Sequence, residues 1–84
     1  MNYDKIPLHC RASMRAYIEQ GVPLGAFLSA VVANDLVLSA LYADNDNINR
    51  LKDYARFLQS EAPPEAWGST KAYQKWVKRG GLNQ

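Results

Sequence analysis

"PLHCRA" at 7 to 12 sets the one histidine, His9, beside the one cysteine, Cys10. A thiolate–imidazole pair needs the two side chains to meet, and adjacent residues on a helix point about 100° apart. His9 therefore reads as a surface residue and Cys10 as part of the core. "ADNDN" at 43 to 47 places Asp44 and Asp46 as a calcium loop would begin. The later ligand positions fail, because Arg50 falls where a glycine or ligand is needed and no glutamate closes the loop. A turn is the better reading. The five glycines are scattered, so no loop of the P-loop or dinucleotide type cradles a phosphate. No catalytic residue, metal site or cofactor is expected, and the chain reads as a non-enzyme.

What remains are polar and aromatic groups with no evident structural duty. "SAVVANDLVLSAL" at 29 to 41 sets Asn34 and Asp35 into the middle of an apolar run. A buried Asn must have its hydrogen bonds met or it costs about 1–3 kcal/mol. Either the pair breaks the helix and caps the next segment, or it presents polar groups to a pocket or a subunit interface. Trp67, in the proline-stiffened "PPEAWGS", either folds back as a lid on a small core or offers a flat surface for stacking. Ser69 precedes a helix whose first N–H groups suit an anion, and Arg50 lies where it could complete such a site. Asn34, Asp35, Arg50, Trp67 and Ser69 form the candidate ligand-binding set.

Helices must position these groups. The first is expected from about Pro7 to Gln20, with proline at its start and Gly21 at its end; Cys10, Met14, Tyr17 and Ile18 share its inner face. Residues 24 to 43 are apolar almost all round, which describes a central helix, straight or bent at Asn34–Asp35. A membrane span is rejected, because Asp35 would sit mid-bilayer at a cost of about 2.5–3.5 kcal/mol. A helix from about Asn47 to Gln59 turns Ile48, Leu51, Ala55 and Leu58 inward, flanked by Tyr54, until two prolines stop it. The last runs from Thr70 to Arg79, capped by Ser69 and ended by Gly80-Gly81, with Ala72, Tyr73, Trp76 and Val77 inside. No stretch alternates with period two long enough for a strand. The fold class is all-α: residues 1 to 84 as one domain, a bundle of four or five short helices.

Eighty-four residues lie near the lower limit for a self-sufficient core, so homo-oligomerisation is expected to complete it. One cysteine excludes an internal disulfide and suits a reducing compartment. No secretory leader is read in Met1 to Ile6, so the expected location is cytoplasmic. The net charge of +2 is unevenly spread: residues 24 to 46 carry only acids (Asp35, Asp44, Asp46), while Lys71, Lys75, Lys78 and Arg79 crowd the last helix. That helix could hold nucleic-acid phosphates without reading sequence, but a solvated lysine-rich face is the simpler account. A helix-turn-helix drawn over residues 7 to 33 fails, because "GAFLSAVVA" has no side chain that reads base edges.

Pro23, Gly25, Phe27, Leu28, Ala30, Val31, Asn34, Asp35 and Leu36, then Ala43, Asp44 and Asn47, then Pro64, Trp67, Gly68 and Ser69, form a spaced pattern. The pattern resembles that of a family of short bacteriophage proteins, with Val32 where that family has leucine. The resemblance implies a phage origin, and action in the cytoplasm of an infected bacterium. By size and helical build the chain is also similar to oligomeric phage sponges that sequester nucleotide immune signals, such as inhibitors of the Thoeris and CBASS systems. On that analogy the expected function is anti-defence signal sequestration, with a small cyclic nucleotide bound between helices or subunits. The alternatives are a protein-binding module acting on a host or phage protein, and weak nucleic-acid binding through the last helix.

Overall fold

The computed structural model describes residues 1–83 and contains no strand among them. Its α-helices are α1 (Leu8–Gln20), α2 (Ala26–Val32), α3 (Leu36–Tyr42), α4 (Asn45–Ile48), α5 (Leu51–Ser60) and α6 (Thr70–Arg79). Single 3-10 turns at Tyr3–Lys5 and Pro64–Ala66 precede α1 and α6. The all-α expectation holds. Among the described residues the α-helices number six, because two predicted helices are each divided. No described helix is long and apolar enough to cross a membrane.

Local chemistry explains most boundaries. Gly21 takes φ 71° and closes α1, its N–H donating to the Tyr17 carbonyl at 2.9 Å. Side-chain oxygens of Asp35, Asp44 and Ser69 accept the N–H groups of Leu38, Asn47 and Ala72, three residues on, at 3.0, 2.7 and 3.0 Å. Each satisfies an amide that its helix start leaves without a partner. The predicted last helix is reproduced residue for residue. The helix expected over 47 to 59 is not continuous: α4 ends at Ile48 and α5 begins at Leu51. That break overturns the inward assignment of Ile48, which is exposed, and of Ala55, which is exposed beside the core rather than within it.

One apolar cluster joins the elements. Cys10, Met14, Tyr17 and Ile18 of α1 meet Leu28, Val31 and Val32 of α2, Tyr54, Phe57 and Leu58 of α5, and Trp76 of α6. Cys10 is thus core and His9 exposed, as their spacing implied. Ile6 is fully buried, so the N-terminal turn is part of the packing. Glu61 ties that turn down: it accepts from the Asn2 N–H at 2.9 Å and pairs with Lys5 at 3.0 Å. Those partners, the Asn2 N–H first, hold its carboxyl below the usual range. The buried Asn47 amide is satisfied in turn, its Oδ1 accepting from Tyr54 Oη at 2.6 Å.

Three phenols make the fold sensitive to alkali. Tyr17 Oη donates to the Ala66 carbonyl at 2.6 Å, Tyr54 to Asn47, and Tyr3 to Glu19 at 3.1 Å. Burial, the largest cause, raises the pKa of all three; that of Tyr3 reaches about 12, with its Glu19 hydrogen bond adding to the shift. The unfolded phenols ionise near 10, so above that pH the native state holds more protons than the unfolded one. Their contribution is whole below about pH 10 and declines as pH rises above it, that of Tyr3 being lost through about 12. Urea denaturation should show a midpoint falling progressively above about pH 10. A midpoint indifferent to pH up to about 11.5 would contradict this account.

Candidate functional site

The apolar run at 29 to 41 is divided where Asn34 and Asp35 interrupt it. Asn34 takes φ 60°, the left-handed conformation that Asn tolerates better than most residues. Its N–H donates to the Val31 carbonyl at 3.1 Å, and the Asp35 N–H to Ala30 at 3.0 Å. These two bonds make the Schellman ending of α2. Asp35 then caps α3. Of the two structures open for residues 24 to 43, the chain adopts the bent one, and the corner turns α3 out of the core. Ser39 is the only buried residue of α3, so its description as half of a central helix does not hold.

The corner forms one wall of a cleft of about 340 Å³. Val31, Asn34, Asp35, Leu36 and Ser39 line that side; Leu51, Tyr54, Ala55, Leu58 and Gln59 of α5 line the other; Trp67 completes the lining. Trp67 is positioned from both directions. The 3-10 turn before it buries Ala66, whose carbonyl is held by Tyr17. Beyond it, the Gly68 N–H donates to the Val32 carbonyl at 2.8 Å. The indole is partly buried and packs on the core, so it is a lid as well as a cleft wall.

Apolar walls with a few polar groups at the rim describe a recognition cleft in the usual size range of about 300–1,000 Å³. Asp35 Oδ1 is committed to the Leu38 N–H, and Ser39 Oγ donates to the Asp35 carbonyl at 2.6 Å. The side-chain amides of Asn34 and Gln59 make no hydrogen bond among the described residues. An amide both donates and accepts, which suits a peptide group or another neutral polar edge. No Lys or Arg lines the cleft.

The five candidate residues therefore separate. Asn34, Asp35 and Trp67 converge on the cleft; Arg50 and Ser69 do not. Arg50 precedes the first turn of α5 and pairs with Asp53 one turn along. Ser69 caps α6 and borders a second groove, of about 420 Å³, with Lys71, Lys75 and Arg79. Gly68, at φ 121°, redirects the chain between Trp67 and Ser69, so neighbours in sequence serve different grooves. Leu51, Ala55 and Gln59 were missed. Their i, i+4, i+8 stripe was legible, but a stripe facing a cleft has the same period as one facing a core. Among the described residues no three metal-ligating side chains converge.

No protein family, curated protein or solved structure matches this chain.

Proposed function

We propose that this protein is a non-catalytic binding module whose cleft takes an uncharged, largely apolar group from a partner protein. The observation that carries this reading is the make-up of the cleft: aromatic and aliphatic walls, two uncommitted amides at the rim and no cation. An aromatic or branched side chain would fill it against Trp67 and Leu58, with Asn34 and Gln59 holding the adjacent peptide groups. Anchors of this kind dominate protein interfaces. Taken with the resemblance to short phage proteins, the role is an accessory one, blocking or redirecting a host protein. The nucleotide reading is the weaker, because phosphates need a cation or free N–H groups, and the cleft's charged group is the Asp35 carboxylate.

Selection of displayed random peptides against the immobilised protein tests this reading. Peptides with one large apolar anchor should be enriched, and Trp67→Ala should weaken their binding by about tenfold or more. Asn34→Gly is the more discriminating variant, since glycine keeps the left-handed turn while deleting the amide. Weakened binding with unchanged melting would place Asn34 in contact with the peptide; unchanged binding would leave it a turn residue only. Failure to enrich peptides, with uptake of a cyclic nucleotide seen by native mass spectrometry, would replace this proposal with signal sequestration.

A further inference from the structure

Helix α3 shows solvent what a chain of this size ordinarily buries. Leu36 is 75% exposed, Val37 66%, Leu38 41%, Leu41 72% and Tyr42 54%, and no charged side chain lies between Asp35 and Asp44. With Ser39 inward, the 100° step of a helix sets Val37 and Leu41 on the crest opposite it. Leu36 falls on the flank toward the cleft. Leu38 and Tyr42 fall on the other flank, where with Ala33 and Tyr73 they border a groove of about 340 Å³ between α2, α3 and α6. One element thus offers both a ridge and the wall of a groove. That is the requirement for a surface to pack on its own copy, ridge into groove, about a two-fold axis.

We infer that the protein forms a two-fold dimer in which Val37 and Leu41 of each copy enter the α2–α3–α6 groove of the other. Charge favours a second copy as occupant: the crest is neutral, so identical faces meet without repulsion, and an ionic partner would find only Asp35 to pair with. Area agrees. At ordinary side-chain sizes Val37, Leu38, Leu41 and Tyr42 present about 400 Å² of surface, within the range of about 300–600 Å² for a monomer's largest apolar patch. A standard interface buries about 800 Å² per partner, and the groove walls supply the remainder. The cleft on the other flank of α3 stays open, so dimerisation and partner binding use different faces.

Sedimentation analysis at about 50 µM should find a dimer, and Leu41→Glu and Val37→Glu should each raise its dissociation constant at least about tenfold. Trp67→Ala should leave the dimer intact, which separates this interface from the cleft. A wild-type monomer at that concentration, or a dimer unmoved by both glutamates, would overturn the assignment. Should either variant lose helicity, hydrogen exchange on the unmodified protein decides. The amides of residues 36 to 42 must exchange more slowly as concentration rises from about 1 to 100 µM, and constant rates would refute the interface.

Discussion

Gly21→Ala is expected to lower the melting temperature by at least about 15 °C, or to leave the chain unfolded at room temperature. Gly21 sits at φ 71°, where a side chain alone costs about 1–2 kcal/mol. A Cβ built there would also lie 2.7 Å from the Gly80 Cα, and one on Gly81 2.6 Å from the Gly21 nitrogen. Backbone, not a flexible side-chain tip, occupies the space, so the tail beyond α6 would have to leave the end of α1. Two bonds would go with it: the Leu82 N–H to Ile18 at 3.0 Å and the Asn83 N–H to Glu19 at 2.8 Å. Together these make a loss of about 3–5 kcal/mol, much of what a domain of this size has. Gly81→Ala should cost a similar amount. The double variant should cost less than both together, since one separation relieves both clashes. Gly25→Ala is the control: no atom lies within 4 Å of its Cβ position and its φ is negative, so thermal melting should move by only a few degrees. A Gly21→Ala protein that melts within about 5 °C of the unmodified one would show that the two segments part freely.

That contact marks the limit of the sequence reading. Gly21 and Gly80-Gly81 were legible as helix terminators, because left-handed endings are a local need that glycine meets. Their meeting is a long-range fact that no local pattern encodes. The same division runs through the candidate site. Ser69 before Thr70 announced a helix start, and Asn34–Asp35 announced either a break or a buried polar pair; the structure realises the break. Asn34 and Trp67, 33 residues apart, reach one cleft because the Gly68 N–H anchors the proline loop to Val32. Arg50 was grouped with them on chemical type, but Asp53 lies within its reach on the same helix and takes the guanidinium. α3 was read as core because hydropathy records what a side chain avoids, not what covers it. In a monomer nothing covers Val37 and Leu41, which is why the run looked central and lies outside.

The two tryptophans should respond oppositely to the same substitution. Trp76 is 1% exposed, its Nε1 donates to the Tyr17 carbonyl at 3.0 Å, and the Arg79 guanidinium lies 4.8 Å over its ring. Trp76→Ala empties the middle of the cluster, a loss of about 3–5 kcal/mol for a buried aromatic. It also leaves the Tyr17 carbonyl without that donor, about 1 kcal/mol more. The melting temperature should fall by about 15–30 °C, and any binding loss should follow the unfolded fraction, vanishing when the variant is assayed cold and folded. Trp67 is anchored through its neighbours rather than through its indole, because Ala66 and Gly68 carry the bonds to Tyr17 and Val32. Trp67→Ala should therefore cost only about 1–2 kcal/mol of stability, while binding at the cleft falls by tenfold or more in fully folded protein. Thermal melts and peptide titrations on the two variants separate the roles. If Trp67→Ala melts as low as Trp76→Ala, the indole is core, and the cleft loses the wall on which its binding role rests.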